Sequence, residues 1–464
     1  MAKGPGGIIS GGFDPLNAPD APTITSVSAG VLTADVTFSA PADTGAGTVD
    51  SYVITAKQSD GTSASATASA AGTASLTLTA GGTTTFAAQA ISDEYGPGAF
   101  SGFGNSTSVL AGQELYGWGQ GDDGAVGNNA TTRLSSPVQI GSLTNWSQVS
   151  AGGNGKHAAA VTTDGELYVW GEDTSGSLGL NSVNIKVSSP VQVGSLTNWS
   201  QVTASSSHTV AVKTDGTLWA WGDASDGNLG ENERIRRSSP VQIGSLTNWS
   251  QVSANSAHTV AVKTDGTLWA WGSNNSGQLG DNTTTFRSSP IQVGALTNWS
   301  HVSGAYNTFA VTTDGELYAW GYNAQGQLGD NTTIKKSSPV QIGSLTNWST
   351  TSVLFHSGAV KTDGTLWTWG NGGDGRLGHN DTTSKSSPVQ IGSDTDWSRI
   401  DVGDGFSLAI AGGELYAWGE ATSGKLGDDT TINKSSPVQV GALTDWTEVS
   451  CGKLFSHALL GTTS

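Results

Sequence analysis

The residues in this chain best suited to do chemistry are histidines that recur at a near-constant interval. His157, His208, His258 and His356 each open a short apolar run such as HTVAV, His457 falls in the last such run, and Asn307 and Phe406 hold the corresponding place in two others. Repeated imidazoles are potential zinc ligands, but zinc needs them to converge on one ion at about 2.0–2.1 Å, and one ligand per repeat keeps them apart. Asn307 and Phe406 also show that the position accepts residues that are not ligands. The expected role is hydrogen bonding to a neighbouring turn. His301 and His379 fall where the copies vary and are expected in solvent.

Other chemical groups read as structure. Asp281, Asp330, Asp428 and Asp429 sit in loops of the GQLGDNTT type, which lack the alternating acids and distal glutamate of a calcium loop, so turn formation is expected. The Gly277–Gly280 stretch is followed by no Lys-Ser/Thr pair and is no phosphate loop. Asn-Trp-Ser at Asn145, Asn198, Asn248, Asn298 and Asn347 matches a glycosylation acceptor but is one motif copied. Cys451, the single cysteine, lies in a strand-like run and is expected as a buried, inert thiol. No nucleophile–base pair or carboxylate pair stands out from the repeats. The expectation is a non-enzyme with no catalytic residue, no metal and no cofactor.

The elements that position these groups follow from residues 238–287, SSPVQIGSLTNWSQVSANSAHTVAVKTDGTLWAWGSNNSGQLGDNTTTFR. HTVAV and TLWAW alternate around Asp265-Gly266, a strong hairpin signal, and SSPVQIG and NWSQVS add two shorter β-prone runs. One unit is thus expected to make a four-stranded antiparallel sheet. Trp-Gly pairs begin at Trp118, Trp170, Trp221, Trp271, Trp320, Trp369 and Trp418, a period of 49–52 residues. A period of that size carrying four strands predicts an all-β, seven-bladed propeller. The first copy begins and the last ends mid-unit, so residues 113–140 and 446–461 are expected to complete one blade and close the ring.

WGxNxxGQLG, SSPVQxG and HTxAV followed by TDGxLWxWG resemble the regulator-of-chromosome-condensation repeat. That resemblance covers residues 111–464 and implies a seven-bladed propeller. It leaves function open among nucleotide exchange factors, ubiquitin ligase modules, photoreceptors and secreted inhibitors.

The remainder of the chain is short of such signatures. Residues 18–110 carry alternating strands from APTITSVSAG to TTFAAQAIS, then EYGPGAFSG and a Ser-rich turn, GFGNSTSVLAG. This resembles a fibronectin type III sandwich, with Tyr52 in the third strand and Phe86 where that family has its corner tyrosine. Residues 1–17 read as a Gly-rich docking arm anchored by Ile8, Ile9, Phe13 and Leu16.

Composition narrows the partners. Net charge is −18, with 2 basic and 8 acidic groups in residues 1–110 and 18 and 30 in the rest. Such a chain repels phosphate backbones and anionic lipid, so no nucleic acid and no membrane insertion are expected. Lys186, Arg236, Arg237, Arg287, Lys335, Lys336, Lys385 and Lys434 recur before the Ser-Ser-Pro triplets, as solubilising loop charges or as a rim for an anionic partner. The N-terminus shows no basic-then-apolar signal order, and synthesis in the cytoplasm is expected.

Together these features resemble a bacteriophage virion accessory protein on the surface, neck or tail. It would sit in a large symmetric assembly, held to other virion proteins by arm and sandwich, with the propeller presented to a protein or host receptor. The alternative is an intracellular regulatory or scaffold propeller such as a small-GTPase exchange factor. Where the copies enter the HTVAV strand they diverge, and Tyr306, Phe355, Phe406 and Phe455 are expected either to form a partner-binding sector or to fill gaps between blades.

Overall fold

The computed structural model describes residues 18–30, 33–59, 61–78, 81–92, 96–109, 112–153 and 156–461. The proposed arm anchors Ile8, Ile9, Phe13 and Leu16 lie outside them. Two compact units divide between Gly112 and Gln113.

The first unit contains β1 (Thr23–Gly30), β2 (Thr33–Ser39), β3 (Ser51–Gln58), β4 (Ser63–Ala68), β5 (Gly72–Thr77), β6 (Gly82–Ser92), β7 (Gly96–Phe100) and β8 (Gly104–Val109). One sheet runs β1-β2-β5; the other runs β4-β3-β6-β7, with β8 also on β6. Period-two alternation turns Val36 and Phe38 of β2 and Tyr52 and Ile54 of β3 inward, where they share one core with Phe86. The Ser-rich stretch expected as a turn is instead strand β8, paired with β6 through Thr84↔Thr107. Its GNSTSV sequence has β-prone Thr and Val without apolar alternation, so the pattern hid it.

The second unit holds seven four-stranded antiparallel sheets among the described residues. A representative sheet orders Trp199–Ala204, His208–Lys213, Leu218–Gly222 and Arg237–Gln242 from the inside out. One sequence unit is therefore not one sheet, which corrects the expectation above. The Ser-Ser-Pro strand pairs upstream, Ala220↔Val241, and the chain then turns at Gly244 (φ +64°) to start the next sheet at Trp249. That offset is what lets the two ends meet. Leu134–Gln139 and Gln113–Gly119 join Phe455–Gly461 and Trp446–Cys451 in one sheet, with Leu115 opposite Leu459. The edges of Gln113–Gly119 and Phe455–Gly461 are thereby paired with each other and are not offered to another chain.

Packing between sheets rests on the Trp of each Trp-Gly pair. Trp320 is fully buried, and its indole N–H donates to the Gln278 carbonyl of the preceding sheet's loop (3.0 Å). Gly280 of that loop has φ +76°, and a Cβ there would lie 2.7 Å from the Trp320 indole nitrogen, so glycine is required both for the turn and for close approach. Each buried Trp contributes roughly 150–250 Å² of burial on the usual scale, and the inner strand of each sheet adds a second buried Trp, as at Trp249 and Trp299.

Candidate functional site

Two layers occupy the axis side of the sheets: a buried seam between neighbours, and turns above it. In the seam, Trp271 and the Thr259 hydroxyl both donate to the Asn228 carbonyl (2.9 and 2.8 Å). The histidine of the previous sheet completes it, His208 Nε2 lying 3.1 Å from Thr259 Oγ1. His157 reaches Thr209 (2.9 Å), His258 reaches Thr308 (2.9 Å) and His356 reaches Ser407 (2.7 Å) in the same way. Turn groups also meet these imidazoles, as expected: Ser205 Oγ lies 2.7 Å from His208 Nδ1, Asn255 Nδ2 2.9 Å from His258 Nε2, and the Val126 carbonyl 3.1 Å from His457 Nε2, while the bond to a neighbouring strand's hydroxyl was not foreseen. Burial pushes His157 down to about 4 and His208 and His258 to about 3, so they are neutral hydrogen-bonding groups at pH 7.

Three histidine readings are corrected. In the closing sheet it is Phe455, opposite Gly119, that matches His157, opposite Gly171; His457 sits two residues on, facing Gly117. His301 is half-buried, 3.3 Å from both Gln251 and the Thr351 carbonyl, and burial lowers its pKa. His379 is half-buried against Thr368 Oγ1 (3.0 Å). Neither is a solvated loop residue, because each lies where a long side chain is drawn onto an adjacent backbone.

The inner strands of all seven sheets line an axial cavity of about 240 Å³. Around it side chains satisfy the next strand's amides: Val202 N–H donates to Gln148 (2.9 Å), Val252 N–H to Gln201 (3.0 Å), and Ala151 N–H to Ser450 (2.8 Å). One arc departs from Gln and Ser, carrying His301, Arg399, Asp401 and Glu448. Asp401 accepts from the Cys451 amide (2.6 Å) and the Ser352 hydroxyl. Burial raises Asp401 to about 6 and Glu448 to about 8. It also holds the Cys451 thiol well above its usual range, which suits an inert buried sulfur. Among the described residues no group of three or more His, Cys, Asp or Glu is placed to hold a metal.

The turns above the seam diverge in pairs. Each turn residue's carbonyl accepts the amide of the residue after a Trp-Gly pair: Lys156 with Glu172, Ser207 with Asp223, Ala257 with Ser273, Tyr306 with Tyr322, Phe355 with Asn371, Gly405 with Glu420, and Leu454 with Gln120. Tyr306 and Phe355 are half-exposed, their rings 5.4 Å apart and tilted by 31°. Phe406 and Phe455, expected beside them, are 0% and 2% exposed. They occupy the histidine position within the seam, so they fill space between sheets and leave the surface.

Tyr322 joins the exposed pair instead. Sequence reasoning missed it, although the residue after each Trp-Gly pair is as variable as the turn itself. Tyr306, Tyr322 and Phe355 border a cleft of about 390 Å³ with Ser256, Ala257, Ser273, Asn275, Ser276, Gln278 and Ala305. By contrast, the cleft at Asp123, Lys156 and Lys453 is about 130 Å³ and crossed by a Lys156–Asp123 ion pair (3.2 Å).

The basic rim is largely neutralised by its own loops. Arg287 pairs with Asp281 (2.8 Å), Lys336 with Asp330 (3.3 Å) and Lys434 with Asp428 (3.2 Å), while Lys186 meets Asp123 (2.8 Å). Asp281 also accepts from the Thr283 amide and hydroxyl (3.0 and 2.6 Å), an Asx turn. These loop acids are occupied by turn and ion-pair chemistry.

Comparison with known proteins adds a family. The RCC1-like domain matches residues 99–392, and the regulator of chromosome condensation (RCC1) repeat matches residues 412–459. The ultraviolet-B receptor UVR8 of Arabidopsis thaliana is 35% identical over 130 residues, which is 27% of this chain and 29% of that protein. The E3 ubiquitin-protein ligase HERC2 of Homo sapiens is 32% identical over 121 residues, 25% of this chain and 2% of that protein. The shared region thus spans less than a third of either relative. Among solved structures, human WBSCR16 superposes with a TM-score of 0.67 at 20% identity, covering 76% of this chain and 100% of that one. Prp20p from Saccharomyces cerevisiae, described with its binding to Gsp1p and histones, gives 0.66 at 20% identity over 76% and 93%. At such identity the likeness is one of fold.

Proposed function

Because this chain belongs to the RCC1-like domain family, we propose that it is a non-enzymatic binding propeller whose diverged turns form the recognition surface. The observation that carries this reading is the contrast between layers: the copies keep the buried Trp of the seam, whereas among the described turns one sector brings three half-exposed aromatics together. Aromatic anchors dominate binding at interfaces. We read the seven sheets as seven blades around one axis and residues 18–110 as a fibronectin type III-like sandwich, on its three- and five-stranded sheets.

The relatives favour a regulatory or scaffold role in which the turn face holds a partner protein. The preceding sandwich favours a second reading, attachment to a virion together with the arm anchors Ile8, Ile9, Phe13 and Leu16. A photo-crosslinking residue at position 257 tests the surface, with position 246, among the exposed leucine loops, as comparison. Leu246 is 47% exposed. Discrete partner adducts from position 257 are expected; adducts from position 246 alone would reject the turn face. Mass spectrometry of those adducts separates the two readings, since regulatory partners and particle proteins differ in identity.

A further inference from the structure

The cleft at Tyr306, Tyr322 and Phe355 has a lining whose chemistry specifies its ligand more narrowly than a protein surface does. None of its ten lining residues is charged, in a chain of net charge −18. An anion or a cation therefore finds no counter-charge among the lining side chains themselves. Seven of the ten side chains carry a neutral hydroxyl or amide, and three carry an aromatic ring. Gln278 already accepts from the Ser276 amide (2.9 Å), but a purely apolar ligand would still cover the polar side chains of Asn275 and Ser276, and a purely polar one would leave the rings uncovered.

The geometry supplies both halves at once. Tyr306 and Phe355 border the cleft together, ring centroids 5.4 Å apart and planes tilted by 31°, and the Tyr322 amide is bonded to the Tyr306 carbonyl at 3.3 Å, which brings the third aromatic residue to the same cleft. Ser273, Asn275 and Ser276 come from the loop across the cleft. Of the nearby cations, Arg287 is held by Asp281 (2.8 Å), and Lys335, outside the lining, donates to the Asn275 backbone carbonyl (3.4 Å) at the rim. A sugar ring pairs an apolar C–H face with a fringe of neutral hydroxyls, each able to donate and accept. We propose that this cleft is a binding site for a neutral saccharide, its C–H face packed against the Tyr306, Tyr322 and Phe355 rings and its hydroxyls bonded by the Ser and Asn wall.

This proposal rests on the turn face being the recognition surface and sharpens it to a ligand class. The test is titration calorimetry of the full chain with lactose, maltose, cellobiose and N,N′-diacetylchitobiose up to millimolar concentration, backed by an array of neutral and acidic glycans. Saturable binding to at least one neutral sugar is expected, weakened tenfold or more by Tyr322→Ala and by Asn275→Ala while the melting temperature holds. Binding of acidic glycans only, of no glycan, or of a neutral sugar with both variants unaffected would overturn it. Protein adducts from position 257 alongside an empty glycan screen would reject the saccharide and leave the turn face standing. Loss of adducts with sugar binding retained would reject the protein partner and keep the saccharide.

Discussion

The seam between sheets and the turns directly above it lie within a few residues of each other, yet the copies treat them oppositely. In the seam, Trp221, Trp271, Trp320 and Trp369 are all fully buried and each donates to a carbonyl that a Thr or Ser hydroxyl also serves. A side chain tied to two partners inside close packing has few acceptable replacements. One position before the seam residue the turn reads Lys156, Ser207, Ala257, Tyr306, Phe355, Gly405 and Leu454, because the contact that every copy keeps there is made by the backbone carbonyl. Positions whose shared contact is made by the backbone can vary in side chain, and there a repeat protein acquires a binding surface without disturbing its fold.

The contrast breaks most visibly if the ring is opened. Removing residues 446–464 takes away Trp446–Cys451 and Phe455–Gly461, half of the closing sheet, and exposes the edge of Gln113–Gly119. Loss of cooperative melting and aggregation on gel filtration are expected. Next in size is Trp271→Ala, which leaves a large void at a fully buried site and should cost roughly 3–5 kcal/mol by denaturant titration. His258→Ala should cost less, about 1–3 kcal/mol, since the Thr308 hydroxyl keeps its bond to the Gln278 carbonyl.

A smaller effect appears only against pH. Glu448 has an ordinary value of 4.5 when unfolded and about 8 when folded, so between those limits the folded chain holds a proton the unfolded chain releases. Stability from this group is present at low pH and falls as pH rises through that window. Glu448→Gln should therefore raise the melting temperature over the wild type by an amount that grows from about pH 5 to about pH 9. The buried histidines act in the opposite sense, losing stability as pH falls from 6.5 toward about 3–4.

Much of this was legible in the sequence, for physical reasons that differ by region. The Trp-Gly period revealed the sheets because a keystone indole is needed once per sheet, and the half-copies at either end revealed the sheet they share. Even the outer rings announce themselves: Thr217 precedes Trp219 and takes its indole N–H (2.9 Å), whereas Glu166 precedes Tyr168 and takes its hydroxyl (3.1 Å). The sheet boundary was not legible, since a Ser-Ser-Pro strand is equally β-prone whichever neighbour it joins. Nor was the register of the last copy, where Phe455 rather than His457 holds the seam position. Spacing alone shows that Phe406 and Tyr306 are both aromatic and near a turn. Only packing shows that one is buried and the other is not.

The account stands or falls on Tyr306→Ser combined with Phe355→Ser, measured for melting and for binding of the partner crosslinked at position 257. The expected result is a melting shift well below that of Trp271→Ala, with partner affinity lowered tenfold or more. A melting temperature that drops as far as it does for Trp271→Ala, with affinity per folded molecule unchanged, would show that these rings belong to the packing layer and contradict the division of labour between seam and turns.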